Sequence, residues 1–235
     1  DQVPDSPQAT NNTRTKVFYL DKSGVKLYGG FEGLSGAQET SKDQRNPDLN
    51  VTILDGDIGV QGNNADNVYR LFFIDTPTNT GTSPTIIDGF TIQNGNADGS
   101  DNSIRAGGAI YINTSVANSP TIEIKNCRFL FNSAGTGIGG AIYINATGFN
   151  NADVSIDSCT FFQNTAGSGG AIYNDNLAAL ARSLVITNSD FMENIASEPS
   201  GGGTIGFGGA IYNDANFGLS RPIIDQCSFS NNGAA

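Results

Sequence analysis

Residues 124–145 read IKNCRFLFNSAGTGIGGAIYIN, and residues 156–175 read IDSCTFFQNTAGSGGAIYND. Each stretch joins Ile-x-x-Cys-x-Phe-x-x-Asn to Gly-Gly-Ala-Ile-Tyr. The first half recurs as Ile186, Ser189, Phe191 and Asn194, and again as Ile224, Cys227, Phe229 and Asn232. A diverged earlier copy fits the same spacing at Ile87, Phe90, Ile92 and Gly95. The second half begins at Gly107, Gly139, Gly169 and Gly208. Successive Ile positions lie 37, 32, 30 and 38 residues apart, so internal spacing is fixed while total length varies. The variable stretches, such as ASEPSGGGTIGF and GNADGSDNSIRA, consist largely of turn-forming Gly, Ser, Asn and Asp. The constant stretches, such as TIEIKNCRF and VSIDSCTF, alternate apolar and polar residues over runs too short for helices. Only NLAALARSL (176–184) has a helix-like composition, and it reads as a loop or strand approach.

A unit of this size cannot bury its own apolar face. Stacking equivalent units buries it, which gives a solenoid whose strands pair in parallel about 4.8 Å apart. The fold class is therefore all-β, a parallel β-helix. A β-propeller is the competing repeat fold, but its blades need four strands each. Stacking predicts ladders: an aliphatic row (Ile124, Ile156, Ile186, Ile224), an aromatic row (Phe129, Phe161, Phe191, Phe229) and an amide row at a turn (Asn132, Asn164, Asn194, Asn232). Cys127, Cys159 and Cys227 share one place in the repeat, and Ser189 takes it in another copy, so they read as small buried residues. The domain reading is a flexible polar segment at 1–15 and one β-helix at 16–235, with diverged coils over 16–105 and regular repeats over 106–235.

Composition narrows the function. The chain has 23 acidic and 12 basic residues, a net charge of −11, which gives no electrostatic footprint for nucleic acid or anionic lipid. Histidine is absent, so a histidine base, a Ser-His-Asp triad and a His-ligated metal are all excluded. No run of apolar residues is long enough for a membrane-spanning helix. The opening DQVPDSPQATNNTRT reads as a processed start or a fragment boundary, and the ending SFSNNGAA as cut from something longer.

The GGAI and FxxN alternation through residues 107–232 resembles the repeat of the polymorphic outer membrane proteins, bacterial surface autotransporter adhesins with a right-handed β-helical passenger. The stretches VKLYGGFEG (25–33), ETSKDQRNPDLNVTILDGDIG (39–59) and PTIIDGFTIQNGNA (84–97) are similar to the opening coils of large secreted bacterial surface proteins with pectate-lyase-like β-helices. The resemblance implies a right-handed helix and an extracellular, cell-surface location. It implies no particular activity.

Three function classes follow. The first is a non-catalytic structural or adhesive rod that contacts a glycan or a protein surface. Its candidate contact row is Tyr111, Tyr143, Tyr173 and Tyr212: if the preceding Ile faces the core, each Tyr faces outward. The bland alternative is that loops cover this row. The second is a subunit that stacks end to end on copies of itself in a filament or sheath. The third is a polysaccharide lyase or hydrolase, for which basic residues hold no fixed place and the acids Asp157 and Asp190 do not clearly pair. No cofactor is expected. The acidic glycine loops holding Asp55 and Asp57, and Asp98 and Asp101, supply oxygen ligands that suit Ca²⁺, with plain turn chemistry as the alternative reading.

Overall fold

The chain winds through six coils, each contributing one strand to each of three long parallel sheets. The computed structural model describes residues 13–33, 39–75, 83–101, 104–114, 121–146, 153–176, 184–197, 206–215 and 220–235. Sheet 1 stacks Phe18–Leu20, Phe72–Asp75, Ile110–Asn113, Ile142–Asn145, Ile172–Asp175 and Ile211–Asp214 in chain order. Sheet 2 stacks Lys26–Tyr28, Thr85–Asp88, Ile122–Lys125, Val154–Asp157, Leu184–Thr187 and Ile223–Asp225. Sheet 3 stacks Thr52–Asp55, Phe90–Gln93, Arg128–Leu130, Thr160–Phe162, Asp190–Met192 and Ser228–Ser230. A short fourth sheet joins Thr165–Ala166, Ile195–Ala196 and Gly233–Ala234. This is a right-handed parallel β-helix, with every strand paired to its equivalent in the next coil.

The register follows the repeat. Ile124 pairs with Ile87 and Ile156, and Phe129 with Ile92 and Phe161. Phe129, Phe161, Phe191 and Phe229 stack with centroids 4.8, 4.6 and 4.9 Å apart and planes within 8° of parallel. The coil spacing thus sets the ring spacing. In coil six Ile224 and Phe229 stand about half exposed, while their equivalents in coils three to five are fully buried. Cys127 and Cys159 are buried free thiols that touch backbone carbonyls, and Ser189 fills the same site with its hydroxyl on Thr187 O at 2.7 Å.

In coils three to six, two corners per coil are made by single left-handed residues. One set precedes the Cys/Ser row (Asn126, Ser158, Asn188, Gln226) and the other precedes the Asn row (Phe131, Gln163, Glu193, Asn231), all with φ between 49° and 56°. The second corner turns buried backbone away from its ladder, and the Asn row satisfies it. Asn164 Nδ2 donates to Phe129 O at 3.0 Å and to Asn194 Oδ1 at 2.9 Å, and its own Oδ1 accepts from the Asn132 amide N–H and Nδ2. Asn132 and Asn194 repeat the pattern. The Gly-Gly pair makes the closest approach: a Cβ on Gly140 would fall on the carbonyl oxygen of Gly170 in the next coil.

Of the 1–15 segment, residues 13–15 form one 3₁₀ turn. There Arg14 donates to Asn67 O at 2.6 Å and Asn96 O at 2.9 Å and pairs with Asp98, and the rest lies outside the described residues. The centre of the 176–184 stretch is also outside them; Leu184 opens a sheet 2 strand.

Candidate functional site

Alternation along sheet 1 sends Ile110, Ile142 and Ile172 into the core and the following tyrosines to the outer face. The outer row is longer than the repeat suggested. Register places Phe73 opposite Tyr111 and Tyr19 opposite Phe73, so six rings run in line: Tyr19, Phe73, Tyr111, Tyr143, Tyr173 and Tyr212. Neighbouring centroids are 5.6, 4.8, 4.9, 5.9 and 5.0 Å apart. Two positions on, a second outward row runs Asp75, Asn113, Asn145, Asp175 and Asp214.

The two rows are cross-linked between coils. Tyr19 OH donates to Asp75, Tyr143 OH to Asp175 and Tyr173 OH to Asp214, at 3.0, 3.0 and 2.8 Å. Asn113 Nδ2 donates to Asp75 at 3.0 Å and Asn145 Nδ2 to Tyr111 OH at 3.3 Å. The Arg70 guanidinium lies over the Tyr111 ring at 4.9 Å and near that of Phe73 at 5.7 Å. This corrects the expectation of an exposed tyrosine ladder. Tyr143 is only 7% exposed, and Tyr111, Tyr173 and Tyr212 are half-buried. The physical reason is the length of the side chain: the phenols of Tyr19, Tyr143 and Tyr173 each reach a carboxylate of the next coil, and every ring packs against its neighbour in the row.

Burial pushes the Tyr143 phenol far above its ordinary pKa, and the Asp175 charge adds to this. Tyr173 is raised likewise by burial, then by its hydrogen bond to Asp214. Both remain neutral donors. Asp175 is itself raised by burial and by the charge of Asp214, against the lowering effect of the Tyr143 hydrogen bond. Asp175 and Asp214 are direct neighbours in register, an acidic pair on the outer face.

The four acids expected to suit Ca²⁺ do not form one group. Burial works to raise Asp55, but donors from the Asp57 amide, Asn94 and Gln93 outweigh it and hold its carboxyl below the usual range, so its oxygens are already used. Asp98 is taken by Arg14 and Asn96, and Asp101 is an exposed turn residue. Only Asp57 keeps a buried oxygen without a donor. Among the described residues, no three His, Cys, Asp or Glu side chains gather as a metal group, and no helix is long and apolar enough to cross a membrane.

The sequence reading missed Tyr19, Phe73 and Asp75. The available signal was FFID at 72–75, an alternating stretch that matches IYIN position for position once the Gly-Gly pair is ignored.

The fold defines a β-solenoid with one structured outer strip. Comparison with known families matches residues 158–175 to the Chlamydia polymorphic membrane protein repeat. That stretch, SCTFFQNTAGSGGAIYND, carries the Cys, Phe and Asn rows, a Gly-Gly corner, and the Tyr173 and Asp175 positions of the strip. One GGAI and FxxN unit of this chain is thus similar to the polymorphic membrane protein repeat, and the other units share its spacing. No curated protein and no solved structure matches the chain.

Proposed function

We propose that this chain is a non-catalytic structural and adhesive segment of a secreted bacterial cell-surface protein, a rigid rod that presents the sheet 1 strip to a glycan or a protein surface. The repeat match supports a bacterial surface protein. The observation that carries the adhesive reading is the cross-linked outer row, in which phenols of coils four and five are fixed by carboxylates of coils five and six. Rings held this way offer flat apolar edges beside polar heads, the composition that contacts sugars and protein surfaces. Their rotamers are already fixed, so binding does not incur that entropy loss again.

The test is a screen of immobilised glycans and surface proteins against the purified chain, followed by Tyr173→Ala and Asp214→Asn. The expected result is binding weakened at least ~10-fold in both variants, about the 1.4 kcal/mol of one lost contact, with the far-UV spectrum unchanged. Binding that survives in Tyr111→Ala, Tyr173→Ala and Tyr212→Ala alike would count against the strip. Polymers seen by light scattering, with no ligand bound, would favour the filament subunit instead. The acidic pair Asp175 and Asp214 favours a hydrolase as a second reading, because such enzymes use two neighbouring carboxyls. Release of reducing ends from a polysaccharide, abolished by Asp175→Asn, would establish it.

A further inference from the structure

Between the last strand of coil one and the first of coil two, residues 56–68 form a loop closed at its base by Val68 N–H donating to Gly56 O at 2.9 Å. Two carboxylates tie its interior. Asp57 Oδ2 accepts from Gly62 N–H at 2.7 Å, and Asp66 Oδ2 from Val60 N–H at 2.9 Å. Val60 O in turn accepts from Asn63 N–H at 2.9 Å, so both carboxylates grip one tight turn. Gly59 has no room for a side chain, since a Cβ there would meet the Asp66 carboxylate.

This loop holds every buried side-chain polar atom that lacks a hydrogen-bond partner among the described residues: Asp57 Oδ1, Asp66 Oδ1 and Asn67 Oδ1. All three are acceptors, and Asn67 is 1% exposed. The Asn67 amide orientation is fixed by its neighbour: Nδ2 donates to Asn94 O of the next coil at 2.8 Å, and a flipped amide would set two oxygens face to face. Its Oδ1 is therefore an acceptor that meets no donor. Unpaired buried acceptors are costly singly, and three in one loop with two negative charges are more so. Arg14, which reaches the Asn67 backbone oxygen, is paired with Asp98, so its charge is already matched. A ligand that contributes only positive charge and accepts several oxygens removes the whole cost. That is a hard divalent cation, and an irregular loop of carboxylate, amide and carbonyl oxygens suits Ca²⁺ better than octahedral Mg²⁺.

We infer that the 56–68 loop is a Ca²⁺ site, with Asp57, Asp66 and Asn67 as its side-chain ligands. The inference is independent of the adhesive reading, since the site lies off the sheet 1 strip. Its place between the first two coils gives it a role: it pins a connection of the solenoid where the Gly-Gly corner is missing.

The experiment is calorimetric titration of the EDTA-stripped 235-residue chain with CaCl₂, and separately with MgCl₂, in about 0.15 M NaCl to screen surface carboxylates. One Ca²⁺ per chain is expected, with a Kd of about 10⁻⁴–10⁻³ M, as in extracellular modules. Magnesium should bind more weakly. Asp57→Asn and Asp66→Asn retain an acceptor for the loop amides and should each weaken Ca²⁺ at least ~10-fold by removing ligand charge. Asp101→Asn should not. On the unaltered chain, Ca²⁺ should slow hydrogen exchange at Val60 and Gly62, a readout that does not depend on any variant folding. No heat at millimolar Ca²⁺, affinity unchanged in both loop variants, or exchange protection confined to another region would each overturn the assignment.

Discussion

Replacing Asn164 with alanine tests the internal ladder at its centre. The residue is fully buried, and its side chain makes four hydrogen bonds, to Phe129 O, Asn194 Oδ1, the Asn132 amide N–H and Asn132 Nδ2. Two partners keep other bonds after the change: Asn132 Nδ2 still reaches Ile92 O, and Asn194 Oδ1 still accepts from the backbone N–H at 164. The Asn132 N–H is left buried with no acceptor. Three bonds at a net ~0.5–1.5 kcal/mol each, with ~1–3 kcal/mol for the stranded donor, bring the expected loss to about 2.5–7.5 kcal/mol. For a chain of this size that is a fall in Tm of about 5–30 °C. The neighbouring Gln163→Gly is the control. Gln163 is exposed with φ 51°, where glycine is at ease, so its change should stay within ~1 kcal/mol. Guanidinium unfolding followed by circular dichroism measures both. Hydrogen exchange at the Asn132 amide reads the local effect, because a solenoid weakened at one coil can lose cooperativity across it. A loss below ~1 kcal/mol for Asn164→Ala, or one no larger than the control's, would refute the view that the amide row satisfies the corner.

The thiols and the phenols give two further checks. A thiol reagent should label one cysteine quickly in the native chain, the half-buried Cys227, and all three only after denaturation, since Cys127 and Cys159 are buried and burial raises the Cys159 thiol well above its ordinary pKa; two fast native thiols would contradict this. Tyr143 and Tyr173 keep their protons in the fold to a higher pH than in the unfolded chain. The stability they contribute is whole below about pH 10 and is lost as pH rises beyond it, so unfolding should set in above that value. Tyr143→Phe should move the alkaline midpoint upward, as read by circular dichroism alongside tyrosinate absorbance.

The repeat was legible because the residues that face inward are the same in every regular coil. Ile124, Phe129 and Asn132 meet their own kind one coil away, so spacing alone gives register and ladder. Where identity lapses, so does the signal. Phe72–Asp75 occupies the sheet 1 position of coil two without a Gly-Gly pair, and the first coil spreads its three strands over 18–55 around a long connection. The outer strip was half legible. Alternation fixes which way Tyr143 faces, but its burial depends on a phenol reaching the next coil's Asp175, and sequence does not show reach. The 56–68 loop was legible only at Asp57, because Asp66 and Asn67 join it through the closing bond between Gly56 and Val68, not through spacing.

The chemistry of the strip also narrows what it can hold. Its phenols at 143 and 173 give their protons to carboxylates, and the amides at 113 and 145 each give one proton, to Asp75 and Tyr111. The carboxylates of Asp75, Asp175 and Asp214 put acceptors and negative charge along the row. The chain as a whole carries −11. A polyuronate would bring like charges against this row and few donors to meet it, which disfavours the acidic polymers a pectate-lyase-like fold suggests. A neutral polyhydroxyl chain, or one bearing amino groups, supplies donors for these carboxylates. Because the rungs recur at the coil spacing of about 4.8 Å, an extended polymer lying along the axis would meet one rung after another. Many weak contacts of that kind add through linkage without any deep pocket. On the proposed reading, affinity should therefore rise steeply with the length of the glycan and little with the identity of its terminal sugar.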